Sequence, residues 1–339
     1  MHSTPASRDQ LQEAMAVTSI QYSAHGPSSV LQLVKSDVGP IRKAGQVLID
    51  NKATSVNPVD YKLREGFGGW LAGPRLPATP GGDVAGVVLE ADAGSKFKPG
   101  DRVMALLARC VGGYSSRVVV PESALARIPD TLSFEQAAAL PLVALTAWQG
   151  LDLAHVQAGD RVLIHAGAGG VGSVAIQLAK ARGLQVVTTC SGRNADFVRE
   201  LGADEVVDYT QQRFEEELKD RPVNAVLDTI VHGSRPHEYQ QRSMKVIKAG
   251  GTYIHFFPKF EILHIAFGFL QGALSLGPRY RAVIVAPNGA QLEQIAELVA
   301  AGRVKPIIHS VFPLEKAAEA QDQVATGHTR GKVVIKIAD

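Results

Sequence analysis

The octapeptide "HAGAGGVG", residues 165 to 172, constrains this chain more than any other stretch. Its glycines Gly167, Gly169 and Gly172 stand at the spacing G-x-G-x-x-G. Alone that spacing is a weak signal. Here it follows the apolar run "RVLI" and opens the amphipathic run "VGSVAIQLAKA", the strand-then-helix context that gives the motif its meaning. Gly167 is expected to make the tight turn. Gly169 lets the backbone approach a pyrophosphate, and Gly172 lets helix and strand pack closely. The amides opening the helix, from Gly170 and Val171, then face phosphate oxygens.

The surroundings predict the architecture. Residues 16 to about 140 are rich in short strand-like runs broken by glycine and proline, such as "QVLIDNKATSVNP", "GGDVAGVVLEA", "DRVMALL" and "YSSRVVVP". From "SFEQAAALPLVALTAWQGL" onward, strands alternate with helices, which implies parallel pairing through right-handed crossovers. The chain then turns back near "RVKPIIHSVFPLEKAAEAQDQVATGHTRGKVVIKI", with a helix and a last strand. The expected fold is α/β, with two domains. Residues 1–140 and 305–339 form a β-rich unit, and 141–304 a doubly wound, Rossmann-type nucleotide unit.

The cofactor choice turns on the end of the second strand. An NAD site places an acid there, about 20 residues after the glycines. This chain reads "TTCSGRN", with Ser191 and Arg193 and no acid before Asp196. A guanidinium matches a 2′-phosphate with a planar fork of donors. NADP(H) is the expected cofactor. Tyr209, ending "EVVDY", falls on the same rim and offers a hydroxyl.

Composition excludes several classes. A net charge of +2 gives no electrostatic case for nucleic acid. Two cysteines, Cys110 and Cys190, make neither a disulfide framework nor a four-thiolate zinc site. The first 21 residues lack the apolar stretch of a secretory signal, and a tail ahead of a strand near Ala16–Tyr22 is expected. Residues 260–277 are apolar and near spanning length, but His264, Gln271 and several glycines interrupt them. A buried or partner-facing helix is preferred there over contact with a membrane surface. A cytoplasmic protein is expected, with an organelle left open.

Taken in order, "NPVDYKLREG", "PGGDVAGVV", "FKPGDRV", "AAALPLVALTAWQGL", "HAGAGGVGSVAIQLAK", "LGADEVVDY" and "GHTRGKVVIKI" resemble the medium-chain dehydrogenase/reductase superfamily. The resemblance implies a GroES-like catalytic domain beside the Rossmann domain. Within the superfamily the chain resembles the zinc-free quinone oxidoreductase branch, and most of all the plant chloroplast-envelope quinone oxidoreductase homologues. "TCSGRN" and "LGADEVVDY" carry that match. Zinc-dependent members have Gly-His-Glu where this chain has "GGDVAG", so no metal is expected.

The resemblance also implies a reaction, NADPH-dependent reduction of the C=C of an enone or of a quinone. Hydride goes to the β-carbon and charge moves to the carbonyl oxygen, which the site must stabilise. By the same likeness Lys62, Asn57 and Tyr61 border the reacting end. Lys62 and Thr146 approach the nicotinamide side, joined by Lys332 from "GKVV". Ile254 and Phe256, in "GTYIHFF", are expected beside the cofactor, and the phenylalanines around them suit an apolar acceptor. "YRAVIVAP" resembles the edge strand through which members of the family form homodimers. A second reading is an NADPH-binding structural or regulatory protein with little turnover.

Overall fold

The computed structural model describes residues 16–69, 73–230, 236–256 and 278–338. The apolar segment 260–277 lies outside them, as do Phe257 and Phe260.

Two large sheets organise the described residues. The first strand, β1 (Val17–Gln21), pairs antiparallel with β2 (Gln32–Ser36). The long β3 (Gln46–Val56) then runs through the β-rich sheet. It pairs antiparallel with β4 (Asp83–Glu90) and β6 (Arg117–Pro121). Beyond β4 lie β5 (Arg102–Leu106) and β7 (Leu125–Arg127). Near the end of the chain β14 (Ile308–Pro313) and β15 (Lys332–Lys336) return to this sheet. The strand order is β14-β15-β3-β4-β5-β7.

The register of β15 against β3 sets up the site. Val333 stands opposite Val56, so Lys332 arrives beside Asn57, 275 residues away in sequence. Asn57 leads into helix α1 (Pro58–Arg64), where Pro58 fits a first-turn position that needs no amide donor.

The second sheet has six parallel strands in the order β10-β9-β8-β11-β12-β13. They are β8 (Arg161–Ile164), β9 (Gln185–Cys190), β10 (Glu205–Asp208), β11 (Val223–Asp228), β12 (Ile247–Phe256) and β13 (Arg279–Val283). The order reverses between β8 and β11. In open sheets of this kind a crevice forms outside the strand ends at that point.

The stretch "SFEQAAALPLVALTAWQGL" is two helices: α2 (Phe134–Ala138) and α3 (Pro141–Ala154). Pro141 ends the first because it has no amide to continue the ladder, and it serves the second as a first-turn residue. Ser133 accepts from the Gln136 amide and Gln136 Oε1 from the Ser133 amide, a reciprocal cap. Helix α3 joins the sheets. Its Leu145, Ala147 and Leu151 belong to one core with Met104 and Leu106 on one side and Val162, Ile164 and Ile254 on the other. Gly150 permits the contact, because a Cβ there would lie 2.3 Å from the Phe256 ring.

Helix α4 (Gly170–Ala181) follows the glycine turn. Helix α5 (Ala195–Glu200) follows β9, and α6 (Phe214–Glu217) follows β10. Helix α7 (Pro236–Met244), which the apolar pattern did not mark, precedes β12. Helix α8 (Gly289–Ala300) ends before Gly302, whose φ of +70° suits glycine. Helix α9 (Ala317–Ala325) bridges β14 and β15.

Candidate active site

A cleft of about 410 Å³ lies between the sheets. Its floor is Ala166, Thr189 and Thr229, each just at or past the end of β8, β9 or β11. One wall is the start of α4, with Gly169, Gly170 and Val171. Facing them are Val56, Asn57, Lys332 and the segment from Thr326 to Thr329. Tyr209, half exposed at 51%, stands on the rim.

The glycine turn is built by exclusion of side chains. A Cβ on Gly167 would meet Thr188 Oγ1 at 2.1 Å, and one on Gly172 would meet the Ala166 carbonyl oxygen at 2.3 Å. The left-handed residue of the turn is Ala166, with φ of +50°, rather than a glycine. Gly167, itself within the turn, is required for the close approach of β9. Ala166 is held in place because its amide donates to Thr189 Oγ1 at 3.2 Å. Gly169 caps α4, leaving that helix's first amides toward the cleft, and a dinucleotide pyrophosphate fits this cradle.

Across the cleft lies a buried polar network. Lys332 Nζ donates to the Val56 carbonyl at 2.7 Å and to Asn57 Oδ1 at 2.6 Å. Asn57 Nδ2 donates to Asp83 Oδ2 at 2.7 Å, which also accepts from Ser55 Oγ. Asp83 Oδ1 accepts from the Leu142 amide at 2.7 Å. Asp60 Oδ2 accepts from the Asn57 amide at 2.8 Å and from Tyr114 OH at 3.1 Å, while Asp60 Oδ1 is buried with no partner. Asp60 thus closes the start of α1 as the third-residue member of a capping box, with Asn57 as the N-cap.

Burial works against every charge in this network. It pushes Asp60 up to about 7 against the pull of the Asn57 amide and of Lys332. It raises Asp83 in the same way, and it lowers Lys332 although both carboxylates favour the ammonium. Asp60 therefore keeps its proton in the folded chain at pH values where the unfolded chain, near about 3.9, has lost it. That stabilisation is complete at low pH and is lost as pH rises from about 4 through about 7. Denaturant curves of wild type and Asp60→Asn between pH 4 and 8 check this. The stability of the wild type relative to the variant should fall by up to about 1.4 kcal/mol per pH unit across that range. Curves that stay parallel would refute it.

The expected site residues separate into two groups. Asn57, Gly169, Gly170, Val171, Tyr209 and Lys332 all line the cleft. Gly167 and Gly172 shape its floor, and Ser191 and Arg193 lie on the turn after β9. Thr146 sits one turn behind the lining residue Leu142 and donates to its carbonyl at 2.6 Å. Tyr61 packs with Ile20, Tyr114 and Val324 in the core of the β-rich region, and burial raises its hydroxyl to about 12. Lys62 is half-buried in the last turn of α1, and neither it nor Tyr61 is a lining residue of this cleft. The side chains of Ile254 and Phe256 point into the core under α3, because alternate residues of a strand face opposite sides and these two share the side that α3 covers. Asp83, Thr189 and Thr229 are site residues that motif and spacing do not single out. "GGDVAG" held a signal for the first, a carboxylate within an apolar strand.

Metal ligation can be tested on the same residues. Among the described residues no group of three His, Cys, Asp or Glu converges to hold an ion. Asp83 already accepts three donors, and burial holds the Cys110 thiol protonated. With the Lys332 ammonium beside them, this donor set does not fit a zinc ion.

A parallel six-stranded sheet with a glycine cradle, facing a β-rich sheet across a cleft, defines a two-domain dehydrogenase/reductase. The comparisons with known proteins carry this further. Residues 43–130 match the alcohol dehydrogenase GroES-like domain, and residues 201–335 match the family described as zinc-binding dehydrogenase. The human mitochondrial NAD(P)H oxidoreductase RTN4IP1 is 35% identical over 92% of this chain and 87% of its own. The NADPH-dependent alkenal/one oxidoreductase of Arabidopsis thaliana chloroplasts is 36% identical over 93% of this chain and 78% of its own. A quinone oxidoreductase structure from Coxiella burnetii superposes with a TM-score of 0.83 at 34% identity, over 95% of this chain and 99% of that one. The chain belongs to the medium-chain dehydrogenase/reductase superfamily, among its quinone and alkenal/one oxidoreductases, and it is an oxidoreductase.

Proposed function

We propose that this protein is a zinc-independent, NADPH-dependent reductase of α,β-unsaturated carbonyls or quinones. The observation that carries the reading is the cleft itself, with a phosphate cradle on one wall and a buried ammonium on the other. The cofactor is NADP(H). Support comes from the turn Ser191-Gly192-Arg193-Asn194, which has an arginine in the sequence position where an NAD site has an acid. It comes also from the Escherichia coli quinone oxidoreductase complexed with NADPH, 26% identical with a TM-score of 0.78.

Bound NADPH supplies a hydride. The chain's own residues orient both reactants and receive the charge that develops. Amides at the start of α4 hold the pyrophosphate. Lys332 places positive charge in the opposite wall, where negative charge growing on an acceptor oxygen is favoured. Asn57 has both ends of its amide engaged, Oδ1 by Lys332 and Nδ2 by Asp83, so its role is to hold the ammonium in place. Leu142, Val143 and Val56 make the cleft apolar around that charge, which suits a small apolar carbonyl or quinone. No helix among the described residues is long and apolar enough to cross a membrane.

The test is loss of absorbance at 340 nm with NADPH against a panel of enones and quinones, for wild type and Arg193→Ala. The wild type should turn over and prefer NADPH to NADH. The variant should lose about 1.5–3 kcal/mol of that preference, the worth of a charged hydrogen bond. NADPH binding without any turnover would instead favour a structural or regulatory role. We further propose a homodimer formed through β13, which stands at the edge of its sheet and is followed by Ile284, 84% exposed. Light scattering of the purified protein distinguishes a dimer from a monomer.

A further inference from the structure

One short segment crosses the whole cleft. Lys332 reaches Val56 and Asn57 at one end. Gly331 bonds the glycine turn in the middle, its amide donating to the Ala168 carbonyl at 3.0 Å and its backbone bridging Gly169. This position needs glycine, since φ is +72° and a Cβ would lie 2.4 Å from the Ile307 carbonyl oxygen. Arg330, just before it in the chain, reaches the turn after β9. Its Nη2 and Nε donate to Asn194 Oδ1 at 2.9 and 3.2 Å, and Nη2 approaches the Arg193 carbonyl at 3.5 Å. Its guanidinium carbon lies over the Phe197 ring, 4.8 Å from the centroid.

Two arginines thereby meet at one four-residue turn. One is Arg193, which is exposed, and the other is Arg330, which is exposed but oriented by an aromatic face and an amide oxygen. The nearby acid, Asp208, lies against the same turn with its oxygens engaged: Oδ1 accepts from the Thr210 amide and hydroxyl, and Oδ2 sits where a Cβ on Gly192 would touch it, with the Gly192 backbone bonded to the carboxylate. Asp208 thus ties this turn to Thr210. Like charges brought together on a surface favour an anion between them, and a fork of donors suits a phosphate.

We propose that Arg330 is a second 2′-phosphate ligand, delivered from the other sheet, and that it determines NADPH specificity together with Arg193. The inference rests on the NADPH reading. It adds that the phosphate is held from both sides of the cleft, by the same segment that carries Lys332 to the reacting end.

The experiment measures binding of 2′,5′-ADP and of 5′-ADP to the full chain by calorimetry, for wild type, Arg330→Ala and Arg330→Lys. The wild type should prefer 2′,5′-ADP. Arg330→Ala should lose roughly tenfold or more of that preference while its affinity for 5′-ADP stays within about twofold. Arg330→Lys should recover part of the loss, since a point charge remains but the fork does not. Equal binding of the two probes by the wild type overturns the NADPH reading and this proposal with it. A wild-type preference that persists in Arg330→Ala overturns this proposal alone. An equal loss of both probes in Arg330→Ala also overturns it, because the contact with Asn194 would then be purely structural.

Discussion

Replacing Lys332 with methionine should destabilise the protein by several kcal/mol, because each buried acceptor left without its donor costs about 1–3 kcal/mol. The ammonium is enclosed, with Lys332 only 5% exposed and Asp60 and Asp83 at 1% and 0%. Without it the Val56 carbonyl and Asn57 Oδ1 lose a donor, and two buried carboxyl groups lose their cation. The methionine stem retains most of the packing volume, so the loss reports the charge rather than a cavity. Denaturant unfolding measures it. The double variant Lys332→Met/Asp83→Asn should recover part of the loss, because it also removes the stranded carboxylate. A double variant as unstable as the sum of the two single ones would show that Lys332 and Asp83 do not support each other. Turnover of Lys332→Met should fall further than its folded fraction if the ammonium also receives charge from the acceptor.

Gly172→Val should abolish cofactor binding. Its Cβ would fall 2.3 Å from the Ala166 carbonyl oxygen and 2.8 Å from Gly167 Cα, both backbone atoms with nowhere to move. The start of α4 must then separate from the end of β8, and the amides that face the pyrophosphate separate with it. Overpacking of this kind costs about 1–3 kcal/mol of stability. Gly169→Ala is the informative contrast, since its nearest neighbour would be 3.3 Å away. That variant should fold like the wild type and bind the cofactor only moderately less well. Titration of intrinsic fluorescence with NADPH ranks the two. If Gly172→Val binds as tightly as Gly169→Ala, the close packing of helix on strand is not what the cradle depends on.

Local signals carried most of the fold. The run of β3, the helix start at Ser133, the turn at residues 165–172 and the helix closed by Gly302 all follow from periodicity, caps and glycine placement within about a dozen residues. The phosphate cradle was legible for the same reason, since its parts are neighbours in sequence. Helix α7 was not, because its "PHEYQQRSM" has no apolar face to reveal it.

The rest of the site depends on contacts that sequence spacing does not encode. Lys62 and Tyr61 stand in a suggestive motif, yet α1 turns Tyr61 into the core while Asp60 and Asn57 meet the network. Ile254 and Phe256 sit on a strand of the nucleotide sheet, but their shared face packs under α3. Lys332 pairs with Asn57 only because β15 returns to β3 with Val333 opposite Val56. By itself the sequence determined the glycine turn, the alternation of strands and helices, and the missing acid that favours NADP(H). Only the tertiary structure decided which charges share the cleft. A strand's register and a chain's return are set by packing over hundreds of residues, and a shift of one residue would have turned Lys332 to the opposite face.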